Sequence, residues 1–202
     1  MEEILRYIRE KYHPSGLILY GSYAAGTQTP QSDFDALAVG GCTAHDVSAV
    51  AGVPLDLYVY PKEFVISSDG ADFLHLSGGR VLWDADGTAA ALLARVDQSA
   101  ALLPQEDAEE LEAAVQWCEK MLCRAQRGDA EGNFRRYWLL TESLNICCSL
   151  RRRRYLGPRK ALKLLQWDAP ELFSLYTAAL AAGGGEALAA WVRALRRQKD
   201  GL

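Results

Sequence analysis

Apolar and polar positions along this 202-residue chain change their period once, near residue 104. Residues 1–12 set Ile4, Leu5, Tyr7 and Ile8 among acids and bases, the stripe of an amphipathic helix. Gly16-Leu17-Ile18-Leu19-Tyr20 is a short apolar run that reads as a buried strand and ends at Gly21-Ser22. A helical turn from Ser22 to Gly26 and a polar loop from Thr27 to Ser32 follow. Phe34 to Val39 predicts a second strand, stopped by Gly40-Gly41, and Val53 to Tyr60 a third, interrupted by Asp56. Pro61 to Gly70 reads as a loop or short turn, Ala71 to Leu76 as a short helical piece, Gly79 to Asp84 as a fourth strand, and Gly87 to Leu103 as an Ala- and Leu-rich helix.

Pro104-Gln105 marks a boundary, and from there the period is helical. Leu111, Ala114, Val115, Cys118, Met121, Leu122 and Ala125 recur at three- and four-residue steps over 106–127, ended by Gly128. Asn133 is placed to cap a second helix reaching Arg152. Pro158 and Pro170 suit the first turns of a third and a fourth, and Gly183-Gly184-Gly185 separates a fifth beginning near Glu186. The predicted class is α+β: a mixed sheet with flanking helices over 1–104, then a helical bundle over 105–202.

The second helix of the bundle is apolar around most of its circumference, which predicts burial on most sides. One line along it, Trp138, Glu142, Asn145 and Ser149, carries polar groups, as a cleft wall or an internal hydrogen-bond network would. Trp83, Trp117, Trp167 and Trp191 fall in core-like patterns. His13, His45 and His75 show no ligand spacing and read as loop or surface residues.

Half of the residues are apolar, enough for a real core. No apolar run approaches the roughly 20 residues that span a bilayer, so a cytoplasmic protein is expected. Five cysteines, Cys42, Cys118, Cys123, Cys147 and Cys148, include no C-x-x-C pair and predict neither a disulfide framework nor a zinc site. The net charge of −4 is uneven: residues 1–105 hold 13 acids against 6 Lys/Arg, and residues 106–202 hold 13 against 16. An acidic chain argues against a processive nucleic-acid enzyme, and its basic half suits an anionic ligand.

The candidate chemistry lies in the first half. Asp33 and Asp35, one residue apart at a strand end, point to one face. Asp56 is a third carboxylate within an apolar run, where an unpaired charge is costly. Like charges this close call for a cation between them, and carboxylate oxygens suit a divalent metal. Gly21-Ser22 offers backbone N–H groups and a hydroxyl to phosphate oxygens. Metal with phosphate suggests nucleotidyl transfer.

Gly21-Ser22-Tyr23-Ala24-Ala25-Gly26, Ser32-Asp33-Phe34-Asp35 and Leu55-Asp56-Leu57 resemble the three-part signature of the DNA polymerase β-like nucleotidyltransferase superfamily. Within it the chain is most similar to the bacterial aminoglycoside nucleotidyltransferases and the minimal nucleotidyltransferases. The resemblance implies two Mg²⁺ ions and transfer of a nucleoside monophosphate from ATP or another NTP, with release of pyrophosphate. It implies Asp33, Asp35 and Asp56 as metal ligands, Gly21, Ser22 and Ser32 at the nucleotide, and Arg159 and Lys160 against its phosphates. It also implies Glu142 as the general base, and it admits a homodimer. Many relatives carry Arg where this chain has Ala25.

A small hydroxylated acceptor, polycationic in view of the acidic first half, is the expected partner. Protein AMP-transfer of the toxin–antitoxin type ranks second, because those enzymes encode their helical partner separately. A catalytically silent nucleotide-binding regulator is the third reading. Arg151 to Arg154, with Lys163, read either as a solvated helix end or as further contacts to triphosphate.

Overall fold

The computed structural model describes residues 1–102, 106–181 and 185–202. The chain divides into two compact units, Met1–Leu102 and Leu103–Leu202. Among the described residues no helix is long and apolar enough to cross a membrane. The expected boundary at Pro104-Gln105 and the glycines Gly183 and Gly184 lie outside the described residues.

The first unit runs α1 (Glu2–Tyr12), β1 (Gly16–Leu19), α2 (Gly21–Ala25), β2 (Phe34–Gly40), β3 (Ala44–Asp46), β4 (Ala49–Val50), β5 (Val53–Pro61), α3 (Lys62–Ser67), a 3₁₀ segment (Gly70–Leu76), β6 (Arg80–Asp84) and α4 (Thr88–Ala101). The strand order is β3-β5-β2-β1-β6, with β4 also paired to β5. β2 and β5 are parallel and the other pairs antiparallel. The parallel register sets Phe34 against Leu55, Asp35 against Asp56, Leu37 against Tyr58 and Val39 against Tyr60.

Both faces of the sheet are covered, which is why β1 is an unbroken apolar run rather than an alternating one. On one face Leu17, Leu19, Phe34, Ala36, Ala38, Leu55, Leu57 and Val59 bury Ile4 and Ile8 of α1. On the other, Ile18, Leu37 and Val39 pack with Val65 of α3, Phe73 and Leu76 of the 3₁₀ segment, and Ala89, Leu92 and Val96 of α4. Alternation therefore assigns residues 35 and 56 to the α4 face.

A polar cluster ties α1 to β3. The Asp46 carboxylate, 3% exposed, accepts at Oδ2 from Tyr7 Oη (2.9 Å), Lys11 Nζ (2.9 Å) and Tyr12 Oη (2.8 Å), and at Oδ1 from the Ser48 N–H (2.9 Å). Burial opposes its charge, but the bonds from Ser48, Lys11 and Tyr12 outweigh that and hold the carboxyl well below the usual carboxylate range.

Three expectations change here. Residues 62–67 form α3 instead of a loop, anchored by buried Val65. β3 and β4, which were not expected, fill the stretch after Gly41. The 71–76 piece is a 3₁₀ segment whose N-cap Asp69 accepts from the Ala71 N–H.

The second unit contains α5 (Ala108–Ala125), α6 (Ala130–Leu150), α7 (Pro158–Asp168), α8 (Pro170–Ala181) and α9 (Gly185–Asp200). Asp107 and Glu110 close a capping box on α5. The N-cap of α6 is Asp129, which accepts from the Gly132 N–H (2.7 Å), and Asn133 lies inside the first turn. The chain leaves α5 through Gly128 in the left-handed region, so the capping geometry falls one residue later.

Trp191 is fully buried, donates Nε1–H to Ser143 Oγ (2.9 Å) and meets the Tyr176 ring at 5.0 Å. Cys118, Cys147 and Cys148 fill this core as expected, and burial pushes their thiols up to about 12, 12 and 11. Burial of α6 on most sides does not extend to its first half, where Phe134, Tyr137 and Trp138 are exposed. Trp167, expected in the core, is 90% exposed. Arg151 and Arg153 pair with Asp168, and Arg152 Nη1 donates to the Glu106 carbonyl (2.9 Å). Much of the arginine run therefore holds the end of α6 in place.

Two stability tests follow from these buried polar contacts. Asp46→Asn is expected to cost about 1–3 kcal/mol at neutral pH. Because the folded carboxyl titrates below its unfolded value of about 4, its contribution is present above that pH and is lost as the pH falls through the folded value. Chemical denaturation of the variant should therefore show a shallower loss of stability on acidification below about pH 4. Ser143→Ala, which leaves the Trp191 N–H buried without its acceptor, should lower the denaturation midpoint by a similar about 1–3 kcal/mol.

Candidate functional site

The acids are brought together by the central strand pair. Asp35 follows fully buried Phe34, and Asp56 sits between Leu55 and Leu57, which are 2% and 0% exposed. These apolar neighbours fix the α1 face, so the two carboxylates stand side by side on the opposite one. Asp33 is exposed, one residue before β2 and two from Asp35.

Gly21 opens the space beside Asp35. Its φ of 68° lies in the left-handed region, and a Cβ there would stand 1.7 Å from Asp35 Oδ2 and 2.6 Å from Cγ. Only glycine meets both conditions. The preceding residue is tied to the same place, since the Tyr20 N–H donates to the Asp35 carbonyl (3.0 Å). Ser22 is half-buried in α2, and its hydroxyl makes no hydrogen bond among the described residues. Ser32 Oγ accepts from the Thr29 N–H (2.9 Å), so this hydroxyl shapes its own loop.

Two groups at the site had no strong sequence signal. Tyr20 is 8% exposed. Burial pushes its hydroxyl well above the usual phenol range, and the charges of Asp56 and Asp35 add to the effect, so it remains a neutral O–H donor. The signal that could have placed it is the β1 alternation, which sets Tyr20, two residues past Ile18, on the same face. The other is His45, expected as a surface residue, whose Nε2 lies 2.7 Å from Asp56 Oδ1. His45 stacks on Tyr58, with centroids 4.2 Å apart and planes 9° from parallel.

The metal fit rests on donor chemistry and register. Asp33, Asp35 and Asp56 supply the hard oxygens that Mg²⁺ takes, and the missing Cβ of Gly21 leaves room for one of them. Among the described residues, however, no group of three His, Cys, Asp or Glu side chains is gathered closely enough to hold a metal ion.

The other expected residues belong to the second unit. Glu142 is exposed on α6 and makes no hydrogen bond or ion pair among the described residues. It lines a shallow groove of about 460 Å³ with Ala114, Trp117, Trp138 and Ile146. Of the polar line on α6, Ser149 is buried and donates to Glu106 Oε1 (2.8 Å), whereas Asn145 is exposed. Arg159, exposed, and Lys160, half-buried, lie in the first turn of α7 behind Pro158.

Gly21→Ala tests the space at Asp35. The added methyl must displace that carboxylate, so Mn²⁺ uptake should be lost, while the left-handed backbone adds a stability cost of about 1 kcal/mol. Native Mn²⁺ affinity in the variant, followed by the free-ion resonance signal, would show that Asp35 is not a ligand.

No curated protein matches the chain at a significant level. Residues 1–72 match the model of a family described as the nucleotidyltransferase domain, a segment that runs from α1 into the 3₁₀ turn and contains Gly21, Ser22, Asp33, Asp35 and Asp56. That match supports the polymerase β-like superfamily, and nucleotidyl transfer as its general chemistry, for the first unit.

Proposed function

We propose that this protein is a Mg²⁺-dependent nucleotidyltransferase that moves a nucleoside monophosphate, AMP from ATP, to a hydroxyl of a small aminoglycoside-like acceptor. The observation that carries the reading is the pairing of Asp35 with Asp56 across β2 and β5, beside a glycine whose Cβ would overlap Asp35. Asp33, Asp35 and Asp56 are the residues that would hold the metal. Bound divalent ions would supply stabilisation of the charge that develops on the attacking and leaving oxygens.

The remaining steps belong to the chain's own groups. The Gly21 backbone and the hydroxyls of Ser22 and Ser32 are the proposed partners of the triphosphate. The acceptor oxygen forms a bond to the α-phosphorus while the bond from that phosphorus to the bridging oxygen breaks. Pyrophosphate leaves with the electron pair, and the hydroxyl proton passes to a general base.

The excess of acids over bases in residues 1–105 favours a polycationic acceptor. A protein acceptor is the second reading, and it is favoured by an aromatic cluster on the surface of α6, where exposed Phe134 and Trp138 lie with ring centroids 6.1 Å apart and Trp138 meets Trp117 at 5.7 Å.

Incubation with Mg²⁺ and ATP labelled at the α-phosphate, with an aminoglycoside panel and a cell lysate as acceptors, separates the readings. Label is expected on a small molecule and should be absent with Asp33→Asn or Asp56→Asn, both retaining the native melting profile. Label on a protein band selects the second reading. Full activity in either Asn variant would sink the assignment of the acids.

A further inference from the structure

We propose that His45 is a positioning residue for Asp56: it fixes one oxygen of that carboxylate so that the other is presented to the divalent ion. This rests on the reading of Asp56 as a metal ligand and extends it to a residue outside the three acids.

The argument begins with register. β3 pairs antiparallel with β5 so that His45 stands opposite Tyr58 and Asp46 opposite Leu57. Adjacent strand residues point to opposite faces. Asp46 accordingly enters the α1 side, where Tyr7, Lys11 and Tyr12 hold it. His45 is thereby directed to the face that carries Asp56.

The contact itself is specific. A carboxylate only accepts, so the proton on the 2.7 Å contact belongs to His45 Nε2. Stacking on Tyr58 fixes the plane of the ring, and the hydrogen bond fixes its direction. Asp56 Oδ1 is thus occupied from the protein side, leaving Oδ2 for a ligand. Partners of this kind orient metal ligands, and their loss typically weakens metal binding about 10- to 100-fold. The Asp46 cluster supports the arrangement from behind, because it immobilises the adjacent residue of a strand only three residues long.

The test measures Mn²⁺ alone, by the resonance signal of the free ion, on the full chain. His45→Ala and His45→Phe should each weaken binding about 10- to 100-fold. The phenylalanine keeps a ring to stack on Tyr58 and removes only the donor, so the result does not depend on the alanine variant folding. His45→Gln, whose amide N–H can reach the place of Nε2, should restore most of the native affinity.

Native or tighter affinity in His45→Phe would overturn the proposal, the tighter result meaning that His45 withholds Asp56 from the metal. A glutamine variant as weak as the phenylalanine one would also overturn it, since restoring a donor would then not have mattered. Failure of the unmodified chain to take up Mn²⁺ would instead refute the metal reading of Asp33, Asp35 and Asp56, on which the proposal stands.

Discussion

The parallel pairing of β2 with β5 is the constraint on which the candidate site depends. Phe34 and Leu55 are partners in that register and are both committed to the α1 face. Side-chain direction has a period of two, so the partners one step further along, Asp35 and Asp56, are sent together to the opposite face. A slip of one residue would turn a carboxylate into the cluster formed with Ile4 and Ile8, where an unpaired charge costs several kcal/mol. The apolar core of the first unit thereby fixes the register of its acids.

A second layer of constraint comes from the edge of the sheet. β3 is too short to hold itself against β5 by ladder bonds alone, yet it carries His45 to Asp56. Its rigidity comes from Asp46, whose carboxylate binds three side chains of α1 and the Ser48 backbone. One helix thus supports both sides of the arrangement: Ile4 and Ile8 pack against Phe34 and Leu55, while Tyr7, Lys11 and Tyr12 hold the residue next to His45. A polar cluster at the edge of the sheet and an apolar cluster under it act on the same pair of carboxylates.

The elements legible in the sequence were those whose signal is local. Four strands and the first helix announced themselves through periodicity and glycine stops, and the Asp-x-Asp spacing with Asp56 pointed to carboxylates sharing one face. The prolines at the starts of α7 and α8 were equally local, whereas the capping box at Asp107 was not singled out. What escaped depends on contacts distant in sequence. Ala44-His45-Asp46 has no alternation of its own and becomes a strand only because β5 offers an edge, so the role of His45 was hidden with it. Trp138 and Trp167 are misleading for the converse reason, since helical spacing assigns a side chain to a stripe and does not say whether anything covers it.

The electrostatics of the site explain why it takes these neighbours. Two carboxylates on adjacent strands repel, and an apolar sheet beneath them lowers the local dielectric and strengthens that repulsion. In the folded chain, part of this cost is offset by the imidazole N–H that His45 donates to Asp56. The backbone gives way where it runs closest to the acids, at Gly21, whose left-handed conformation and missing Cβ leave Asp35 its space. A divalent ion between the carboxylates would relieve the repulsion more completely than hydrogen bonds can. Sequence, register and charge therefore describe one face on which two carboxylates stand side by side, held in place from both sides of the sheet.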